Sequence, residues 1–331
     1  MKLTTLAIIG FGIAGRSLLY TLAKEKKKYS QIYIFHSDDF AFPCTKHSTA
    51  IVAPRGVTAG LSALGDLLMD GFNHFSEHVE NDVPLGVKKI TQYSAATERL
   101  GPFKKRYPHG HESLTVGPLH LLDKTYLITE RAFMIDPVIY QDWLYSSSKN
   151  LPIIDINEFV TQMEKKDQII LTTHSQQKIT VDEVVVSAGV YTRFLQGPVK
   201  SKPVQGSYLS FKDINLKSDS FSLTLDGDNI VYHADQKILL LGSTSIEAGH
   251  ELAPMNDLKN IYERLCQKTQ MTLPPISEAD IFVGLREKAP KRLPYLMSDE
   301  KIHFLGGYYK NGFTLALKMA KSLSHRLLGP V

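Results

Sequence analysis

The chain has 331 residues, of which 43% are apolar and 22% are charged. This length suits one large or two modest domains, and this balance excludes extensive disorder. The formal net charge of +4 suits an anionic ligand but indicates little about nucleic acid. The only two cysteines, Cys44 and Cys266, cannot build a disulfide framework, and no stretch of about 18 apolar residues occurs. We therefore expect a soluble, cytoplasmic protein with no membrane partner.

The first 36 residues predict a strand, a helix and a second strand, from "TLAIIG", "AGRSLLYTLAKE" and "QIYIF". Between the first strand and the helix lies "GFGIAG", with Gly10, Gly12 and Gly15. In such a turn the first glycine allows the tight bend, the second lets the backbone approach a pyrophosphate, and the third lets helix pack on strand. The helix N-terminus then faces the phosphates. The pattern favours a dinucleotide site over a purely structural glycine turn.

The second strand ends in His36, where an Asp or Glu usually binds the ribose hydroxyls of the nucleotide. A neutral imidazole can still hydrogen-bond a hydroxyl, and Asp38 or Asp39 can approach from the following loop. We expect weaker binding, not its loss, because the phosphate contacts come from the backbone. A 2′-phosphate would favour an arginine here, and none lies between Arg16 and Arg55.

The remaining elements predict two domains that the chain crosses more than once. A helix is expected around "SALGDLLMDGFNHFSEHV", and residues 84 to 123, irregular with Gly and Pro at short intervals, are expected to hold strands and loops of a second domain. Asp136 as N-cap and Pro137 at the first position predict another helix. Alternation then predicts strands up to "VVVSAG", a β-rich part, the helix "NDLKNIYERLCQKT", and a final strand, turn and helix. The predicted fold class is α/β: a Rossmann-type domain (residues 1–83, 124–202 and 281–331) with an inserted β-rich domain (84–123 and 203–280).

The motifs together resemble the D-amino-acid oxidase (DAO) superfamily of FAD-dependent oxidoreductases. The resemblance is greatest to glycine oxidases and to the oxidase domain of the bifunctional enzyme that modifies wobble uridine in tRNA. It runs the length of the chain, and its most specific parts are the two C-terminal motifs. The segments that carry it are "IIGFGIAG", "TKHSTAIVAP", "FMIDP", "VVVSAG", "PVQGSYLSF", "KILLLGST", "VGLREKAPKRLPYL" and "GGYYKNGFTLA".

The resemblance implies roles for particular residues. Arg286 falls where the family binds a substrate carboxylate, and a planar guanidinium can form two parallel bonds to that group. Lys310 would assist it. Tyr208 and Tyr232 would be walls beside the flavin, with ordinary strand aromatics as the alternative. The implied FAD contacts are Gly10, Gly12, Ile13, Ala14, Gly15, His36, Ser48, Thr49, Ala50, Val160, Ala188, Gly189, Arg286, Gly307, Tyr309, Lys310, Asn311, Gly312 and Phe313.

The implied chemistry is oxidation of a small amine or amino acid. A hydride leaves the carbon beside the nitrogen for flavin N5, and water hydrolyses the imine. The alternatives are a stand-alone oxidase acting on a carboxymethylaminomethyl uridine, with tRNA as partner, and a flavin-binding protein without turnover. An NAD-dependent dehydrogenase ranks last, because it gives the C-terminal motifs no role. The electron acceptor and the oligomeric state stay open.

Two further groups of residues, three histidines and a cysteine–histidine pair, could suggest a metal site or a nucleophile. His109, His111 and His120 lie in a Gly/Pro loop and are expected to be loop residues, not metal ligands, so no metal is predicted. Cys44 and His47 suggest a nucleophile and its base, but no third orienting group is recognisable. The resemblance places this turn beside the flavin, with covalent attachment through His47 as the alternative. The family usually has glycine where this chain has Ala50.

Overall fold

The computed structural model describes residues 4–38, 42–54, 57, 60–98, 100–247 and 254–327. Within these ranges the helices α1 to α6 are Ile13–Lys24, Ala63–Asp82, Leu100–Arg106, Pro137–Ser146, Met255–Thr269 and Gly312–Ser324. None of these helices is both long and apolar enough to cross a membrane. The strands β1 to β19 are Thr5–Ile9, Gln31–His36, Ile51–Val52, Val87–Ala96, His111–Val116, Leu119–Ile135, Ile153–Asn157, Val160–Lys165, Ile169–Thr173, Lys178–Val181, Glu183–Val186, Lys202–Phe211, Phe221–Leu225, Asp228–His233, Ile238–Gly242, Ile246–Glu247, Asp280–Lys288, Tyr295–Asp299 and Ile302–Gly306.

A six-stranded sheet, in the order β18-β19-β11-β1-β2-β7, confirms the predicted β-α-β start. All its neighbouring pairs are parallel except the edge pair β18-β19. Because side chains alternate along a strand, β1 buries residues on both faces. Leu6 and Ile8 pack with α1 and α6, whereas Ala7 and Ile9 pack with the three-stranded sheet β10-β9-β8. Helices cover one face and a small sheet covers the other, so the glycine turn after β1 lies at an edge between these layers.

A second, ten-stranded sheet contains most of the remaining strands. Its main path is β16-β12-β15-β14-β13-β4-β6-β3, with β17 paired to β12 and β5 paired to β6. Helix α5 covers one face, where Leu258, Ile261 and Leu265 pack among strand residues such as Leu223 and Ile230. The opposite face is turned toward the glycine turn and α6.

The α/β fold class is confirmed, while the second sheet extends past the predicted domain boundaries. Residues 84 to 123 are more regular than expected, because β4 and β6 pair continuously from Val87 opposite Ile135 to Ala96 opposite Tyr126. Strand β6 therefore runs through the boundary at 123/124. Likewise β17 pairs with β12 along nine positions and crosses the boundary at 280/281. The sheet pairing places residues 124–135 and 281–288 with the β-rich part, and the two-domain division itself stays a prediction.

The predicted start of α4 is confirmed in detail. The Asp136 carboxylate accepts hydrogen bonds from the backbone N–H groups of Val138 and Ile139, at 3.0 and 3.1 Å. Pro137 occupies the first helical turn, where a missing N–H costs no intrahelical bond. Two local residues thus fix where this helix begins.

Candidate functional site

The glycine turn between β1 and α1 is built by close backbone contact. Gly10 has φ +93°, and a Cβ there would lie 2.5 Å from the Ala188 Cα. A Cβ at Gly15 would lie 2.3 Å from the Gly10 carbonyl oxygen, so this glycine lets α1 pack on the turn. At Gly12 a Cβ would meet only Thr45 Oγ1 within 4 Å, at 3.0 Å. Gly10 and Gly15 therefore close the turn, and Gly12 keeps the backbone bare where it lines a cavity.

That cavity, here called the glycine-loop cavity, has a volume of about 680 Å³. Helix α1 begins at its wall, and Gly12 at the N-cap provides no side-chain acceptor for the first-turn N–H groups. The N–H of Ile13 donates to Thr45 Oγ1 at 3.2 Å. Of the sequence-predicted residues, those that line this cavity are Gly10, Gly12, Ile13, Ala14, His36, Val160, Ala188, Gly189, Tyr309 and Gly312.

The carboxylate nearest to His36 comes from a different strand. His36 Nε2 lies 2.5 Å from Asp155 Oδ1, in the adjacent strand β7, and its Nδ1 lies 3.7 Å from Asp38 Oδ1. Tyr145 also donates to Asp155, at 3.1 Å. Asp39 lies outside the described residues. Since a carboxylate accepts, His36 Nε2 carries the hydrogen and Nδ1 is left to accept from a ligand hydroxyl.

A second cavity, of about 800 Å³, lies against the ten-stranded sheet and is here called the sheet cavity. It adjoins the glycine-loop cavity, because both are lined by Ile13, Cys44, Thr45, Tyr309 and Gly312. The sequence-predicted residues that line it are Ile13, Ser48, Thr49, Ala50, Arg286, Tyr309, Lys310, Gly312 and Phe313. Gly15, Gly307, Asn311 and Tyr232 line neither cavity.

Arg286, on β17, reaches across the neighbouring strand into the sheet cavity. Its Nη1 donates to the Thr244 carbonyl at 3.2 Å, and its Nη2 donates to Ser243 Oγ at 3.3 Å. The guanidinium lies directly over Gly206, where a Cβ would be only 2.0 Å from Nη2. No ion pair among the described residues involves Arg286. Two neutral acceptors therefore hold this cation, and Gly206 leaves room for it because it has no side chain.

The turn before α6 is anchored by a buried acid. Glu287, next to Arg286 in β17, accepts from the Gly307 N–H and from the Tyr295 hydroxyl, both at 2.7 Å. The Tyr309 N–H donates to the Glu287 carbonyl at 3.0 Å. Burial raises the pKa of the Glu287 carboxyl above its usual value, although its hydrogen bonds with Tyr295, Gly307 and Ser201 oppose this shift. This anchor fixes the chain that leads to the start of α6 at Gly312.

Tyr309 and Lys310 follow in that turn. The Tyr309 hydroxyl lies 2.7 Å from Ser245 Oγ, and the Lys310 ammonium lies 5.6 Å from the centre of the Tyr309 ring. The N-cap of α6, Asn311, makes no side-chain capping bond. Among the described residues, then, no capping side chain competes for the N–H groups of the first turn, whose residues Gly312, Phe313 and Thr314 line the sheet cavity.

The loop from Cys44 to Ala50 forms the wall that both cavities share. His47 Nδ1 donates to the Val283 carbonyl at 2.6 Å, which fixes the tautomer. Burial raises the pKa of the Cys44 thiol, with Arg286 opposing it, so this cysteine has no sign of an activated thiolate. Ala50 has φ +41°, a left-handed backbone that glycine adopts without strain. That conformation accounts for the glycine expected at this position.

The two tyrosines predicted as cavity walls lie on opposite faces of the sheet. Tyr208 lines the sheet cavity, stacks on Phe282 at 5.2 Å, and burial raises its pKa to about 12. The Tyr232 ring is buried with the α5 core, and its hydroxyl donates to the Ile214 carbonyl at 3.2 Å. Strand alternation gives the cavity position to Val231 instead. Tyr232 therefore does not face the cavity, and the expectation that it forms a wall there is wrong.

Sequence reasoning did not single out four contributors to these cavities: Thr45, Asp155, Gly206 and Glu287. Glu287 had a signal, since it sits inside the motif "GLREKAP" beside Arg286. Asp155 and Gly206 had none, because their importance comes from the register of β7 on β2 and of β17 on β12. Two of the three histidines expected in a Gly/Pro loop belong to strands: His111 begins β5 and His120 lies in β6, whereas His109 is in the preceding turn. Among the described residues, no three His, Cys, Asp or Glu side chains are grouped so that they could hold a metal ion.

A glycine turn at the edge of a mostly parallel sheet is typical of dinucleotide-binding proteins. In this chain two adjoining cavities connect that turn to a second large sheet. The chain belongs to the FAD dependent oxidoreductase (DAO) family, whose model matches residues 5–326. FAD is its cofactor. The cavities fit this group: the bare Gly12 and the uncapped start of α1 suit the pyrophosphate, and the uncapped start of α6 lies in the adjoining cavity.

Solved structures of oxidases share the fold. Glycine oxidase from Geobacillus kaustophilus superposes with a TM-score of 0.78 at 17% identity, covering 98% of this chain and 94% of that one. L-alpha-glycerophosphate oxidase from Mycoplasma pneumoniae, with FAD bound, gives 0.79 at 16% identity, covering 99% and 95%. Iminodiacetate oxidase from Chelativorans sp. BNC1 gives 0.75 at 15% identity, covering 98% and 96%. No curated protein sequence matches the chain.

Proposed function

We propose that this protein is an FAD-dependent oxidase of a small amine or amino acid. The observation that carries the proposal is the state of Arg286, whose guanidinium lines the sheet cavity and bonds, among the described residues, to the Thr244 carbonyl and the Ser243 hydroxyl. No described carboxylate pairs with this half-buried cation, and a guanidinium forms two parallel charge-assisted bonds to a carboxylate bound beside it. The α-carboxylate of an amino acid is such a partner.

FAD, when bound, supplies the hydride acceptor at flavin N5. The substrate, with its nitrogen neutral, would lose a hydride from the adjacent carbon and become a protonated imine, which water hydrolyses to a carbonyl compound and ammonium or a protonated amine. Arg286 binds and orients the carboxylate, so that the carbon–hydrogen bond has a fixed direction. Tyr208 lines the cavity and stacks on Phe282 behind it, so an aromatic ring forms part of the cavity wall. Lys310 lies at the edge of the same cavity, next to the start of α6.

The names of two structural neighbours support an amine substrate, since glycine oxidase and iminodiacetate oxidase both act on amino compounds that bear carboxylates. The glycerophosphate oxidase shows that the same fold also serves a substrate without an amine. Arg286 is therefore the stronger support, because it belongs to this chain. The two free thiols, Cys44 and Cys266, support the predicted cytoplasmic location.

The test is a visible absorption spectrum of the purified protein, recorded before and after anaerobic addition of glycine, sarcosine and a mixture of D-amino acids. We expect a flavin spectrum that one of these amines bleaches. The Arg286→Lys variant should retain flavin but require a higher substrate concentration, because an ammonium replaces the bidentate fork. A flavin that no amine bleaches contradicts the proposal.

Two alternatives then separate by further measurements. An oxidase of a modified tRNA would bind tRNA with an affinity that falls steeply as salt rises. A flavin-binding protein without turnover would neither oxidise an amine nor bind tRNA in this way. The basic residues of α3 at the rim of the sheet cavity, of which Arg106 lines it, give the first alternative its only structural support.

A further inference from the structure

A row of neutral polar side chains crosses the floor of the sheet cavity. Starting at Gly242 in β15, the residues directly opposite one another are Asn229 in β14, Thr224 in β13 and Ser94 in β4. Ser222, two positions before Thr224, lies on the same face. All four polar residues line the cavity, while the alternate residues Leu223 and Leu225 pack against the α5 core.

Two of these hydroxyl groups lack partners. Ser94 and Ser222 are only 5% and 2% exposed, and neither side chain hydrogen-bonds to any described residue. Thr224 Oγ1 donates to Asn229 Oδ1 at 2.8 Å, which leaves the Asn229 amide N–H groups directed elsewhere. Neither hydroxyl oxygen is sealed in the core, because both residues line the open cavity. A ligand in the cavity can therefore hydrogen-bond to both hydroxyls in place of water.

The row carries no charge. At one end stands Arg286, through its contact with Ser243, the residue after Gly242. Beyond the other end, Asp226 and Glu98 line the cavity, but both pair with Lys268, at 2.6 and 2.9 Å. The four side chains of the row supply no counterion, and the two other cations that line the cavity, Arg106 and Lys310, are not part of the row. The row therefore suits a neutral group that can donate and accept hydrogen bonds.

The spacing of strands gives the reach of such a ligand. Neighbouring strands lie about 4.8 Å apart, so Asn229 is about 5 Å and Ser94 about 14 Å across the sheet from Gly242. The row therefore lies about 5 to 14 Å from a carboxylate bound to Arg286 beside Ser243. Glycine is too short to reach it, whereas a side chain of several bonds is long enough.

We infer that Ser94, Ser222, Thr224 and Asn229 form a subsite for a neutral polar group of the substrate, an amide, urea or hydroxyl. The substrate would then be an amino acid or related amine with a polar uncharged tail. This inference rests on the proposed function and refines it, since it concerns the same cavity. It predicts discrimination by hydrogen bonding, because a site built for such bonds rejects analogues without them.

The experiment uses the FAD-loaded full chain and measures binding through changes of the flavin spectrum, together with kcat/KM. The polar probes are both enantiomers of glutamine and citrulline, and their apolar matches are methionine and norleucine. We expect a polar probe to bind roughly tenfold more tightly than its match, as one or two hydrogen bonds provide. The Ser94→Ala/Ser222→Ala variant should remove most of this preference while retaining flavin, because neither hydroxyl holds the fold together.

The matched control is Ser210→Ala, which removes a hydroxyl from a serine that is 5% exposed in the same sheet and does not line the cavity. It should leave the preference unchanged. Equal or tighter binding of methionine and norleucine overturns the subsite while leaving the amine-oxidase function in place. A preference that survives in the double variant also overturns it. If amines as a class neither perturb nor bleach the flavin, the proposed function itself fails.

Discussion

At the scale of single residues, two departures from the family pattern have local compensation. Ala50 adopts a left-handed backbone, which costs a non-glycine residue about 1–2 kcal/mol, but its methyl group is buried among Ile13 and Phe313. His36 takes the place of the ribose acid, and Asp155 supplies a carboxylate from the adjacent strand. We therefore expect the imidazole, held by that carboxylate, to offer a ligand hydroxyl the acceptor that the missing acid would have offered.

Gly206 is the residue for which the structure makes the sharpest prediction. In a Gly206→Ala variant the new Cβ would occupy the place of the Arg286 guanidinium, which would move because it ends a flexible side chain. Loss of its charge-assisted bonds should weaken binding of carboxylates about 10- to 100-fold. Titration with acetate and propionate, followed through the flavin spectrum, measures this.

The matched control for Gly206 is Gly101→Ala in α3, where a Cβ meets nothing within 4 Å. It should bind carboxylates as the unchanged protein does. If Gly206→Ala has the same carboxylate affinity as Gly101→Ala, the Arg286 guanidinium does not bind carboxylates from its position over Gly206.

At the scale of elements, the start of α6 depends on β17. Glu287 holds the turn by two side-chain hydrogen bonds and one backbone bond, while Arg286, one position earlier, faces the sheet cavity. Because neighbouring strand residues point to opposite faces, one short stretch of β17 serves both tasks. The spacing of the motif "GLREKAP" is thereby explained.

The pH dependence of stability tests the Glu287 anchor. Its pKa is raised by burial, so the folded protein holds this proton more tightly than the unfolded chain does. The free energy of unfolding should therefore fall as pH rises from the usual glutamate pKa of about 4.5 through the raised value. Below this pH range the Glu287→Gln variant should be about 1–3 kcal/mol less stable than the unchanged protein, because the amide has one acceptor fewer. The difference in free energy of unfolding between the two proteins should narrow as pH rises.

Urea unfolding across this pH range measures the effect, with the exposed Glu278→Gln as control. The control should follow the unchanged protein at every pH. A stability difference for Glu287→Gln that stays constant with pH would show that this carboxyl does not titrate with a raised pKa.

At the scale of the whole molecule, the two cavities cross the junction of the two large sheets. The glycine-loop cavity reaches from the end of β2 to the turn before α6, and the sheet cavity continues to β4 and β13. The shared wall residues Thr45 and Tyr309 belong to loops, not to either sheet. An extended ligand in both cavities would therefore connect segments that are far apart in sequence.

Ligand-dependent stability tests this arrangement. FAD at about 100 times its dissociation constant should stabilise the folded chain by about 2.7 kcal/mol, a rise in Tm of roughly 4 °C. FMN lacks the adenosine half, which we place in the glycine-loop cavity, so the same concentration should raise Tm clearly less. Thermal unfolding of the flavin-free protein with each ligand measures this. Equal shifts with FMN and FAD would contradict the placement of the adenosine half.

The sequence alone determined the features that depend on neighbours along the chain. The β-α-β start, the glycine turn, the Asp136 cap of α4 and the FAD family all follow from short motifs, because turn geometry and capping are local. Residues 84 to 123 hold longer and more regular strands than expected, and Tyr232 lies on the face away from the cavity. Both depended on how β4 and β14 pair with strands distant in sequence.

Only the tertiary structure decided which residues share a cavity. Strand register brings Asp155 to His36, Gly206 beneath Arg286, and Ser94 into one row with Thr224. A shift of one residue in any of these pairings would turn the side chain to the opposite face. Register is set by the burial of whole faces across the sheet, so no short motif in the sequence records it.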